Sequence, residues 1–100
     1  MPQEFKIPAS EIESRITNIQ KRLREEEIDA LLIFQRVDLF YFSGTAQNGF
    51  LYIPAQGPPL LLIRRYMPRA RHESSIGNIV EIKSPKEVPG RIVEFYGQLP

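Results

Sequence analysis

Residues 38–54 read DLFYFSGTAQNGFLYIP. Two apolar runs, Leu39–Phe42 and Phe50–Ile53, flank a small polar tract with a glycine near each end. Such a tract can cradle a phosphate, present a nucleophile or only turn the chain. A phosphate loop needs Gly, four residues, then Gly-Lys-Ser/Thr, with a helix behind it to hold the anion. Gly44 and Gly49 have that spacing, but Phe50 and Leu51 stand where Lys and Ser/Thr belong. A strand pattern follows Gly49 instead of a helix. The Gly-x-Ser-x-Gly pattern of a nucleophile elbow is missing too. The tract is therefore expected to close a short helical turn, with Gly44 left-handed, and to lead into a sheet.

The sequence upstream supports this. Ile12, Ile16, Ile19 and Leu23 recur at helical spacing, with Glu13, Arg15, Asn18, Lys21, Arg22, Glu25 and Glu26 opposite. Ser10 and Glu13 form a capping-box pattern, so a helix is predicted from about Glu11 to Glu27. Ala30-Leu31-Leu32-Ile33-Phe34 is short, continuous and apolar, and reads as a strand buried on both faces. Downstream, Phe50–Ile53 and Leu60–Ile63 are strands joined across Pro54–Pro59, which favours an antiparallel hairpin. Pro68–Ser75 reads as a short helix, and Asn78–Ile82 as a more polar strand nearer an edge. Ser84-Pro85-Lys86-Glu87 repeats the capping pattern, and a helix is expected from Pro89 to about Tyr96. The order predicts one α/β domain over residues 1–100, a small mixed β-sheet flanked by helices on both sides. The chain stops at Gln98-Leu99-Pro100 with no closing element, as expected of a piece of a longer protein.

One hundred residues at net charge +1 fit one modest core and argue against a general nucleic-acid binder. There is no cysteine, so disulfides, thiolate zinc sites and cysteine nucleophiles are excluded. No apolar run approaches the about 20 residues a membrane span needs, and the N-terminus lacks the apolar core of a signal peptide. A cytoplasmic protein is expected. His72 is the only histidine, and Asp29 and Asp38 the only aspartates. They are too scattered to make a metal site or a catalytic constellation. Arg64, Arg65, Arg69 and Arg71 form a basic cluster, readable as a solvated helix edge or as a docking surface for an acidic partner. Phe40, Tyr41 and Phe42 read as core or as an interface.

The ordered set of motifs resembles the N-terminal domain of the creatinase/prolidase/Xaa-Pro aminopeptidase family. The motifs are Asp29–Ile33, then Asp38-Leu39-Phe40-Tyr41-Phe42-Ser43-Gly44, then Gly49–Ile53 and Pro59–Ile63, and finally Arg69-Ala70-Arg71-His72-Glu73-Ser74. The resemblance implies a ribonuclease-H-like α/β fold ahead of a separate "pita-bread" catalytic domain. That second domain would hold two divalent metals (Mn, Co or Zn) between two aspartates, one histidine and two glutamates, and this chain has no such set. The chain itself is thus expected to carry no cofactor and no catalytic residue. Its expected partners are the C-terminal catalytic domain of the same parent and a second copy in a homodimer, with no nucleic acid and no membrane. Arg36, Asp38, Tyr41 and Arg69 are the candidates for substrate access or interface. The alternative is a free-standing binding module that uses the Arg64–Arg71 cluster.

Overall fold

The computed structural model describes residues 7–45, 49–64, 74 and 76–97. Helix α1 (Ala9–Glu25) buries Ile12, Ile16 and Leu23, the face that the spacing predicts. It starts before the expected cap. The N–H groups of Glu11 and Ile12 both donate to the Pro8 carbonyl, at 3.0 and 3.2 Å. Ser10 therefore lies inside the first turn and does not cap it. At the other end Ile28 N–H donates to Leu23 O and Glu27 N–H to Arg24 O. This pair of bonds is a Schellman closure, which puts Glu27 in the left-handed region at φ 58°.

Strand β1 (Ala30–Ile33) precedes helix α2 (Arg36–Ser43), which ends at Gly44 in the left-handed conformation, φ 85°. Strands β2 (Gly49–Pro54) and β3 (Leu60–Ile63) form the antiparallel hairpin, and β4 (Ile79–Glu81) joins β3 in parallel. The sheet order is β1-β2-β3-β4, so the sheet is mixed. Ser84 caps a 3-10 turn at Pro85–Glu87 by accepting from Lys86 N–H, and helix α3 (Val88–Tyr96) follows. Of the predicted helix over residues 68–75 only Ser74 is among the described residues, and the basic cluster beyond Arg64 lies outside them.

Period-two alternation divides the core. Leu51, Ile53, Leu61 and Ile63 meet Ile12, Ile16, Leu23 and Leu39 on one face. Tyr52, Leu60 and Leu62 meet Ile82, Val88 and Ile92 on the other. All four residues of β3 are fully buried, each adding about 1.5–3 kcal/mol of apolar burial. β1 corrects the sequence reading. It is an edge strand, and Leu32 stays 41% exposed. A continuous apolar run looks doubly buried in sequence, but sheet order is set by pairing between distant segments, and here pairing leaves the run outside. β4, the more polar strand, forms the other edge as expected.

Both helical layers pin the β2–β3 turn. Gln20 Nε2 donates to Pro54 O and Gly57 O, each at 2.8 Å, and Arg24 Nη1 donates to Ala55 O at 2.7 Å. From the other side Tyr96 Oη donates to Pro58 O at 2.6 Å. Tyr52, 5.3 Å from Tyr96 ring to ring, is buried, and its hydroxyl has no partner among the described residues. Burial raises the pKa of both phenols. The Asp29 charge adds to the shift at Tyr52, and Tyr52 adds to that at Tyr96. An unfolded tyrosine ionises near 10.0. Above that pH the unfolded chain loses protons that the folded chain keeps, so stability is full below pH 10 and falls as pH rises. Urea midpoints are expected to drop as pH rises above about 10, and Tyr96→Phe should flatten that drop.

Candidate functional site

The polar tract of the opening stretch proves to be structural where it is described. Ser43 Oγ donates to Leu39 O at 2.5 Å and accepts from Thr45 N–H at 3.2 Å. The Ser43 carbonyl accepts from Ser74 Oγ, which in turn accepts from Ile76 N–H at 3.2 Å. Ser43, Thr45 and Ser74 are all buried. Buried polar groups must be satisfied, and this chain of bonds satisfies the backbone where α2 gives way to the sheet. Among the described residues of the tract, the Ser43 hydroxyl is thus committed to backbone groups.

The exposed feature lies on the outer side of α2. Val37 and Tyr41, one turn apart, are 80% and 48% exposed, and Phe34 just before the helix is 64% exposed. Leu39 on the inner side is buried, so α2 is apolar on both sides. That departs from the pattern of a helix with one face in solvent. A cleft of about 470 Å³ runs beside it, lined by Ile7, Pro8, Glu11, Arg15, Val37, Phe40 and Tyr41. Arg15 forms one wall. Its guanidinium lies 4.1 Å from the Tyr41 ring centroid, Nη1 donates to Tyr41 O at 2.7 Å, and Nη2 stands 3.6 Å from Glu11 Oε2. Stacking and hydrogen bond together fix the tyrosine. The sequence pattern puts Arg15 on the solvated face of α1, and the structure brings it against α2 instead. Nothing in the helical spacing of α1 could have shown this, because it depends on where α2 docks.

Of the four sequence-predicted site residues, Tyr41 lines this cleft. Arg36 and Asp38 are exposed in the first turn of α2, and Tyr41 follows one turn on. Arg69 lies outside the described residues. Asp29 and Asp38 sit on separate elements. Among the described residues no group of three or more His, Cys, Asp or Glu could hold a metal ion. Among them, too, no helix is long and apolar enough to cross a membrane.

Fold and surface together define a small mixed-sheet α/β domain whose α2 side is apolar and carries a cleft. The chain belongs to the Creatinase/Prolidase N-terminal domain family, whose sequence pattern matches residues 15–99. That is the family expected from its ordered motifs. Solved structures agree in fold. An Xaa-Pro aminopeptidase from Streptococcus pyogenes is 21% identical with TM-score 0.75, over 88% of this chain and 69% of the other. The creatinase/prolidase N-terminal domain of an X-Pro dipeptidase from the same organism is 16% identical with TM-score 0.64, over 77% and 66%. The prolidase from Pyrococcus furiosus is 25% identical with TM-score 0.70, over 78% of this chain but 25% of that one. This chain thus corresponds to about a quarter of that prolidase. No curated protein sequence matches the chain significantly.

Proposed function

We propose that this chain is the non-catalytic N-terminal domain of a Xaa-Pro peptidase of the prolidase or aminopeptidase P kind. It works in the cytoplasm, through contacts with the catalytic domain and with a second subunit, and it helps shape substrate access. The observation that carries this reading is the α2 face. Val37 and Tyr41 are exposed and line the cleft, Phe34 is exposed just before the helix, and the inner side of α2 already packs into the domain's own core. Exposed apolar surface of this kind marks an interaction site. Asp38 and Arg36 are exposed on the same helix, where polar groups can meet a partner or the end of a bound peptide. When bound, the paired divalent metals of the catalytic domain would supply an activated water. The part of this chain is to position that domain and to wall its entrance.

The reading frame beyond Pro100 is the first test. A continuation carrying two aspartates, a histidine and two glutamates is expected, and a stop codon there would refute the proposal. In the longer enzyme, Val37→Lys at the 80% exposed position should leave the fold intact. It should lower Xaa-Pro cleavage by about tenfold, because a buried apolar contact is replaced by a charge. Activity equal to the unaltered enzyme would remove α2 from the interface.

A further inference from the structure

We infer that the groove between helix α1 and the residues leading into β3 and β4 binds the free N-terminal residue of a peptide, with its apolar side chain in the groove and its ammonium group at Glu13. The groove shares no lining residue with the α2 cleft and encloses about 230 Å³. Sites for drug-sized ligands take roughly 300–1,000 Å³, so this one suits a fragment of about one residue. Its floor is apolar. Ile12 and Ile16 of α1 meet Ile76 across it, and all three are otherwise buried. Glu13 and Thr17, one turn apart, form the α1 rim, and Pro59, Gly77 and Asn78 form the other.

The second rim is held by the fold. Asn78 O accepts from Leu61 N–H at 2.9 Å, which ties the rim to β3. Ile76 N–H donates to the buried Ser74 Oγ at 3.2 Å, and Ser74 in turn bonds the Ser43 carbonyl. A rim fixed in this way loses little freedom when a ligand arrives. Gly77 leaves room there, since a Cβ at this position would meet no atom within 4 Å.

Charge selects the occupant. Glu13 is the one ionisable side chain lining the groove, so the groove favours a cation over an anion. A single carboxylate is too few for a metal ion. The helix does not use Glu13 elsewhere. α1 is capped at Pro8 with no side-chain bond, and its ion pairs join Arg15 to Glu11 and Arg22 to Glu26. The cation needs an apolar body to cover the three isoleucines. No Lys, Arg or His lines the groove to receive a carboxylate, which argues against a free amino acid. A peptide N-terminus meets both conditions, being an ammonium without a carboxylate. The Thr17 hydroxyl and the Asn78 amide stand at the rims to bond its first peptide unit.

Titration of the isotope-labelled 100-residue chain with leucyl-glycinamide, followed by amide NMR shifts, tests this. Millimolar binding is expected, with the shifts concentrated at Thr17, Gly77 and Asn78. Acetylating the peptide N-terminus should weaken binding about fivefold, and Glu13→Gln should do the same to the free peptide. The two losses should not add, because each removes the same contact. Gly77→Leu, which narrows the rim, should weaken both peptides. Glu13 and Gly77 are exposed, so both variants should keep the circular dichroism of the unaltered chain. Equal binding of the free and acetylated peptides, or a Glu13→Gln chain that binds unchanged, would overturn the site. Shifts centred elsewhere, or none, would overturn it too. Tighter binding of free leucine or of Nα-acetyl-lysinamide would overturn the peptide terminus as its occupant.

Discussion

Gly49→Ala is expected to destabilise the domain by about 3 kcal/mol, near the upper end of what overpacking costs. A Cβ at this position would lie 2.2 Å from the Leu62 carbonyl oxygen and 3.1 Å from its carbon. Both are backbone atoms of β3, the strand at the centre of the core, so no rotamer change can relieve the clash. β2 and β3 would have to move apart at Gly49↔Ile63, where their pairing begins. Gly90 supplies the control. It lies in α3, and nothing stands within 4 Å of its Cβ position. Gly90→Ala should be neutral or stabilise by up to about 1 kcal/mol through helix propensity. Urea unfolding of the two variants side by side measures the contrast. A Gly49→Ala chain as stable as the unaltered one would show that the close approach is not a constraint.

This contrast also shows where sequence reading ends. The question set by Gly44 and Gly49 has two answers of different kinds. Gly44 closes a helix in the left-handed conformation, which local pattern predicts. Gly49 is required by the carbonyl of a strand thirteen residues on, which local pattern only hints at. The same division runs through the chain. Ile12, Ile16 and Leu23 announce the buried face of α1, and Ser84 announces its turn, because helical period and capping are local. The exposure of β1, the Ser43–Ser74 bond and the stacking of Arg15 on Tyr41 are non-local, and no spacing within one segment encodes them. The candidate site was half legible for the same reason. Asp38 and Tyr41 stand out as motif residues of the opening stretch. Val37 and Phe34 look like ordinary core residues until the fold leaves them uncovered.

Leu61→Ala is expected to cost about 2–5 kcal/mol, while Leu32→Ala in dilute solution should cost under about 1 kcal/mol. In sequence the two leucines are alike, since each sits inside an unbroken apolar run bounded by polar residues. Their difference comes from strand order. Leu61 lies on β3 between β2 and β4, is fully buried, and packs in the core beneath α1 with Leu51, Ile12 and Ile16. Truncation there leaves a cavity that three layers cannot close. Leu32 lies on the edge strand, where water already reaches the side chain. A domain of this size has about 5–15 kcal/mol in total. Leu61→Ala should therefore lower the melting temperature by more than about 10 °C, and Leu32→Ala by only a few degrees. Thermal unfolding at low micromolar concentration separates these losses from any effect on dimerisation. Equal losses at the two positions would mean that β1 is covered within a single chain. The sheet order would then be wrong.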